Sequence, residues 1–261
     1  MHFRVCSLAS GSDGNCTYAA TAQTAILVDA GLSAKETVRR LTAIGVDIAS
    51  IQGICVTHEH ADHTTGLDVL HRRHGIALYA NSGTIEGMNA RPGGPKLNFN
   101  VFSTGAPFRI GDLDLEPFSV PHDAYDPVGF VIRSGEVKAG IVTDMGMVTT
   151  LIRERLRDCR LLVIEANHDE QMLKDADRPW SLKQRIFGRQ GHLSNAHAAE
   201  LIADVAGPGL REVFLAHLSA DCNRPELALA AVRAALVQRG AGHVSVKLAP
   251  RDQASDVWVS G

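Results

Sequence analysis

The segment His58-Glu59-His60-Ala61-Asp62-His63 places three imidazoles within six residues, with Asp62 beside them. These nitrogen and oxygen donors suit divalent metal ions. In an extended segment, residues two apart point to the same side, so His58 and His60 aim together. Asp62 and His63 follow where a helix is expected over 64–74, so one short segment can serve two adjacent ions. Other candidates share one kind of position. Val56 precedes His58 by two residues, as Val120 precedes His122, Val142 precedes Asp144 and Leu215 precedes His217. Each then lies just past the end of an expected strand, where rigid elements aim loops.

The elements that must position these residues are legible in outline. Strand-like runs occur at 3–9, 25–30, 51–57, 76–80, 108–120, 128–133, 137–143, 160–166, 210–216 and 243–249, each short and bounded by turn residues. Two hairpins are expected, around Gly111-Asp112 and around Ser134-Gly135. Ser33 and Glu36 form a capping-box pattern opening a helix to about Ile44, with Gly45 stopping it. In the second half, Ala198, Leu201, Ile202 and Val205 form one apolar helical face, and Leu227, Ala230, Ala231 and Ala234 another. Mixed sheets with helices on both outer faces predict a four-layer αββα sandwich. No linker-like stretch divides the chain, so residues 1–261 are expected to form a single domain.

Composition bounds the partners. The 261 residues include 26 Lys and Arg against 29 Asp and Glu, a net charge of −3 that excludes a globally basic polyanion binder. Nucleic acid would have to be met by local charge. Arg178, Lys183, Arg185 and Arg189 lie in a 15-residue stretch, RPWSLKQRIFGRQGH, without an acidic side chain. It reads either as a phosphate-tracking stripe with Trp180 or Phe187 stacking on a base, or as an amphipathic helix with Trp180 in the core. The five cysteines form no CxxC pair and are expected to fill the core in a reducing compartment. With no run of 18 apolar residues and no leader-like N-terminus, a soluble cytoplasmic protein without a membrane partner is expected.

THEHADH, over 57–63, resembles the signature of the metallo-β-lactamase superfamily, and His122, Asp144 and His217 fall where its later metal motifs would be. Three further stretches, at 7–16, 120–132 and 164–195, resemble the YycJ/WalJ branch, across nearly the whole chain. That resemblance implies a DNA exonuclease acting from the 5′ end. The run over 191–219 is also similar to the closing part of ribonuclease Z, which implies His192 as the source of a catalytic proton and His217 as a ligand.

The carry-over assigns His58, His60 and His122 to one ion, Asp62, His63 and His217 to a second, and Asp144 to a bridge between them. Asp62 and His192 become the catalytic pair of residues. Two divalent ions, Zn²⁺ or Mn²⁺, with two aspartate ligands would leave a site of about +2. Such a site would attract phosphate and could ionise water near neutral pH. The implied reaction is metal-dependent phosphodiester hydrolysis, with DNA favoured over RNA. The alternative is a small-molecule hydrolase of the same superfamily, a thioesterase or lactonase.

Several residues stay open on the sequence. His168, in EANHDE, could contact substrate, orient another group or cap the next helix. The loop Ser10-Gly11-Ser12-Asp13-Gly14-Asn15 suits a tight turn or a phosphate cradle. Asp29 is expected to orient a ligand or a loop rather than bind metal. His71, His74, His197 and His243 read as surface or packing residues.

Overall fold

Apolar residues alternating between two buried faces build most strands of this chain. The computed structural model describes residues 2–91, 94 and 96–261. The strands it describes lie in two seven-stranded sheets. The first contains β1 (Arg4–Ala9), β2 (Cys16–Ala20), β3 (Ala25–Val28), β4 (Ile51–Cys55), β5 (Ala77–Ala80) and β6 (Phe99–Val101). The second contains β7 (Phe108–Ile110), β8 (Leu113–Ser119), β9 (Val128–Ser134), β10 (Val137–Val142), β11 (Leu161–Glu165), β12 (Glu212–Ala216) and β13 (Ser245–Leu248). The chain then returns β14 (Trp258–Val259) to the first sheet, giving the orders β14-β1-β2-β3-β4-β5-β6 and β13-β12-β11-β10-β9-β8-β7.

Both sheets are mixed. β1 to β3 pair antiparallel and β3 to β6 parallel. β7 to β10 pair antiparallel and β10 to β13 parallel. In β11, Leu161 and Val163 face the core between the sheets, whereas Leu162 and Ile164 face the outer helical layer. Burial on both faces is why this strand reads as an unbroken apolar run. Phe130 and Phe214, fully buried in the inter-sheet core, contribute about 1.5–3 kcal/mol each.

The first sheet is covered by α1 (Ala34–Ala43), α3 (Leu67–His74) and α4 (Ser82–Asn89), with the short α2 (Ala61–Thr64) preceding α3. The second is covered by α5 (Thr150–Leu156), α8 (Asn195–Val205) and α9 (Pro225–Gln238), with α6 (Glu170–Asp175) and α7 (Trp180–Phe187) in the connection between β11 and α8. The expected αββα layering is thus present. No helix among the described residues is long and apolar enough to cross a membrane.

The differences from sequence expectation have local causes. The helix expected over 64–74 is split, because Gly66 donates to Ala30 O at 2.8 Å and a Cβ there would stand 2.3 Å from Leu32 O. α9 buries Ala228, Val232 and Leu236, while Leu227 is 40% exposed, so the buried face is displaced by one residue from the expected one. Small alanines on both sides left the periodicity ambiguous. The capping box is half made: Ser33 accepts from Glu36 N, but the Glu36 carboxylate turns to Arg39 and Arg40. β2 is rich in small residues, and β6 and β14 are short edge strands, which explains their weak sequence signals.

Candidate metal centre

One end of the sandwich gathers the chemistry. His58 follows β4, His122 follows β8, Asp144 follows β10, and His217 follows β12, all at C-terminal strand ends. β8, β10 and β12 run the same way within their sheet, so their exits converge. Asp29, Asp144 and His217 adopt left-handed backbone conformations with φ of 63°, 56° and 55°. Such conformations cost about 1–2 kcal/mol for a residue with a Cβ. Each turns the chain sharply just beyond its strand.

Two donor groups result, each with its ligand-type atoms within 4.8 Å of one another: His58, His60 and His122, and Asp62, His63, Asp144 and His217. A third group of Asp144, Glu165, His192 and His217 shares two members with the second. His122 Nε2 lies 3.3 Å from His60 Nδ1 and 4.0 Å from Asp144 Oδ1, linking the two sets. His63 Nε2 is 3.0 Å from Asp144 Oδ2, and His217 Nε2 is 3.5 Å from both Asp62 Oδ2 and Asp144 Oδ1.

The far ring nitrogens are held from behind. His63 Nδ1 meets Asp29 at 2.8 Å, and Asp29 also accepts from Thr57 N and its hydroxyl. His122 Nδ1 donates to Gly191 O at 3.1 Å, and His217 Nδ1 lies 3.2 Å from Glu165 Oε1. Bonds of this kind select the tautomer and leave Nε2 facing the cluster.

These donors fit divalent metal. Nε2 of His58 is buried without a hydrogen-bond partner among the described residues, and Nε2 of His217 and Oδ2 of Asp144 are buried facing only other donors of the cluster. Burial lowers His58 and His122, favouring the neutral imidazole that ligates. Burial opposes the charge on Asp62 and Asp144, yet the surrounding histidines hold both carboxyls well below the usual carboxylate range. Burial would also lower His217, but the charge of Asp144 and bonds with Asp62 and Glu165 raise it to about 10. Burial would likewise lower His63, but Asp29 and Asp144 raise it, and a divalent ion can offset the same carboxylate charge.

His192 lies in the turn before α8, beside both donor groups. Its Nδ1 is 2.7 Å from Glu165 Oε1, its side chain is 21% exposed, and its ring is 5.2 Å from His217. Burial opposes its protonation, but the charge and hydrogen bond of Glu165 raise it. Glu165 escaped the sequence reading. It is fully buried, and it also accepts from Met145 N and Leu193 N. The available signal was a carboxylate ending the apolar run LLVI, since such a residue is seldom buried without partners.

The loop before β2 is a tight turn closed by Gly14 N to Gly11 O at 2.9 Å. Its Asn15 side chain bonds Gly11 and reaches Asp62 Oδ2 at 3.2 Å and His63 Nε2 at 3.0 Å. His168 is buried outside the donor groups, with Phe187 against its ring at 5.3 Å, and burial lowers it to about 4. It does not cap the next helix; Asp169 does. Trp180 is 64% exposed, which overturns the core alternative for that residue, and α7 buries none of its residues. Arg185 pairs with Asp123 and Arg178 with Asp221, and a cavity of about 310 Å³ extends from His192 and His217 to these arginines and Arg251.

A family model described as a beta-lactamase superfamily domain matches residues 24–218, and the chain belongs to that superfamily. Within it, the chain is 39% identical over 243 residues to exodeoxyribonuclease YycJ of Bacillus anthracis, covering 93% of this chain and 91% of that protein. It is 37% identical over 229 residues to exodeoxyribonuclease WalJ of Streptococcus pneumoniae, covering 87% and 85%. Among solved structures, the metallo-β-lactamase fold protein YhfI from Bacillus subtilis matches with a TM-score of 0.74 at 15% identity over 99% of both chains. That likeness speaks for the fold.

Proposed function

We propose that this chain is a metal-dependent exodeoxyribonuclease that removes nucleotides from the 5′ end of DNA. The observation that carries the reading is the joining of an all-histidine and a His/Asp donor group through Asp144 to the Glu165–His192 pair, in a chain similar over most of its length to YycJ and WalJ. His58, His60 and His122 would hold one divalent ion, Asp62, His63 and His217 a second, and Asp144 would bridge them, with Zn²⁺ and Mn²⁺ both compatible with these ligands. When bound, such ions supply acidity to water and offset the charge of the phosphate.

The remaining work falls to side chains. Asp29, Gly191 O and Glu165 fix the tautomers of His63, His122 and His217. Asp62 serves both as ligand and in positioning the nucleophilic water. Glu165 holds the Nδ1 proton of His192, leaving its Nε2 for the leaving group. Water attacks phosphorus in line, the P–O3′ bond breaks, and the 3′ oxygen takes a proton from His192. Such a positioned acid contributes about 10²–10⁴-fold in rate. The proposed catalytic unit is the single domain 1–261, supported by the return of β14 to pair with β1. Its proposed compartment is the cytoplasm, which suits five buried, unpaired cysteines.

The test is cleavage of 5′-labelled and 3′-labelled DNA and RNA by purified protein with Mn²⁺ or Zn²⁺, alongside Asp62→Ala and His192→Ala. Metal-dependent loss of DNA from the 5′ end, abolished by Asp62→Ala and weakened by His192→Ala, is expected. Inert nucleic acids with turnover of a thioester or lactone would overturn the reading.

A further inference from the structure

We propose that Tyr125 is the platform on which the first base of the retained DNA strand stacks, and that buried Glu59 positions it. This inference rests on the exonuclease reading above. When the P–O3′ bond breaks, the released nucleotide departs on the side of His192, the proposed acid. The strand that keeps the phosphate has to leave by another side. The cavity beside His192 takes no lining residue from 59–61 or 123–126. Those two segments adjoin the histidine donors instead, with Asp123 Oδ1 only 3.3 Å from His122 Nε2, and they offer the retained strand its way out.

On this side one aromatic ring faces solvent. Tyr125, three residues past His122, is 56% exposed, although its backbone is fixed from several directions. Its N–H donates to Glu59 Oε1 at 3.1 Å. Glu59 stands between His58 and His60, is buried, and leaves Oε2 without a hydrogen-bond partner among the described residues. A carboxylate buried with one oxygen unpaired is costly, and what this one holds is the Tyr125 loop. Arg91 and Thr64 in turn bond the Glu59 carbonyl.

Glycines on α4 allow the close approach. A Cβ on Gly87 would stand 2.6 Å from Glu59 Cγ and 2.8 Å from Tyr125 Cδ2, and one on Gly83 would stand 2.5 Å from Asp126 Cβ. Four residues apart, the two glycines leave one face of the helix bare for the loop. Asn81 donates to Asp126 O at 2.7 Å and Thr104 to Asp126 Oδ2 at 2.8 Å, while Arg185 donates to Asp123 Oδ2 at 2.6 Å. With these oxygens engaged, the loop presents a fixed ring.

A ring held in this way suits a nucleobase. Every base has a π-face, so stacking tolerates any sequence, and it contributes about 5–100-fold per base. A fixed platform would set the first retained nucleotide, and with it the phosphate to be cut, against the metal-binding groups whatever the base.

The test compares nucleotide release from oligonucleotides carrying either a normal or an abasic second nucleotide, the first that the cut retains; an abasic site farther along the strand is the control. Wild type and Tyr125→Phe should lose about tenfold in kcat/KM on the abasic substrate. Tyr125→Ala should lose about as much on the normal substrate and be indifferent to the abasic one. Glu59→Ala should shrink the abasic penalty and Glu59→Gln restore it, since the glutamine carbonyl still accepts from Tyr125 N. A wild-type ratio near one, or the wild-type ratio in Tyr125→Ala, would overturn the platform. A full penalty in Glu59→Ala would remove Glu59 from it.

If wild type releases nothing from any DNA, the nuclease reading fails first, and equilibrium binding of the same two oligonucleotides decides the platform separately. Tighter binding of the intact one that depends on Tyr125 supports it. Equal binding, or a preference unchanged in Tyr125→Ala, removes it.

Discussion

Replacing Glu165 by glutamine tests whether this buried carboxylate organises the proposed acid. Its Oε2 accepts from Met145 N at 2.9 Å and Leu193 N at 3.3 Å, while Oε1 meets His192 Nδ1 at 2.7 Å and lies 3.2 Å from His217 Nδ1. Glutamine can keep the backbone pair with its carbonyl oxygen. It then presents an NH₂ donor to two imidazole nitrogens that also carry protons for donation. Both rings must change tautomer or move. A hydrogen bond to a charged group contributes about 1.5–3 kcal/mol, and 1.36 kcal/mol is a factor of ten, so this bond to His192 alone accounts for about 10–100-fold. Losing the protonated acid as well should lower kcat about 10²–10³-fold at saturating metal. Through His217, metal affinity should fall about 10–100-fold.

The assay is single-turnover cleavage of 5′-labelled DNA across a metal titration, using wild type, Glu165→Gln, His192→Ala and the double variant. If Glu165 acts on chemistry through His192, adding Glu165→Gln to His192→Ala should cost little further rate while metal affinity still falls. A Glu165→Gln rate within about threefold of wild type, or losses that simply multiply, would refute this chain of reasoning.

Other perturbations probe the supports of the cluster. Asp29→Asn weakens the acceptor behind His63 Nδ1 and should reduce metal affinity about 10–100-fold, read by competition with a chromophoric chelator; unchanged affinity would deny Asp29 its orienting role. Gly31→Ala would place a Cβ 1.6 Å from Asp62 O and 2.6 Å from Asn15 N, so it should cost about 1–3 kcal/mol and displace Asp62. Thermal unfolding and bound-metal stoichiometry would report both effects. Gly45→Ala meets nothing within 4 Å and should cost only the left-handed backbone, about 1–2 kcal/mol, with metal binding intact. Hydrogen bonds from Arg39 and Arg40 hold the Glu36 carboxyl at about 2, below its ordinary 4.5. The folded value is the lower one, so Glu36 stabilises the fold above the unfolded value and loses that contribution as pH falls toward 2. Glu36→Gln should therefore cost about 0.5–1 kcal/mol at neutral pH, with the gap closing in acid; a constant gap by urea unfolding would contradict the linkage.

The sequence by itself determined the strand-ending donors and the αββα class. Histidines packed at 58, 60 and 63 announce metal chemistry through local spacing, and His122, Asp144 and His217 stand beyond runs whose apolar character already demands buried strands. Tertiary structure decided what those residues face. Glu165 and His192 are separated by 26 intervening residues and meet only because β11 and the turn before α8 open onto the same end of the sheet. Asn15 reaches Asp62 through a glycine turn, and Gly31 permits the close backbone approach that holds that segment in place. Likewise, periodicity identified α9 but misplaced its buried face, since small alanines look alike until Val232 and Leu236 have a sheet to pack against. Local pattern records which groups are available and which side of a strand they occupy. Their partners are set by chain segments far apart in sequence, whose approach depends on packing between two sheets.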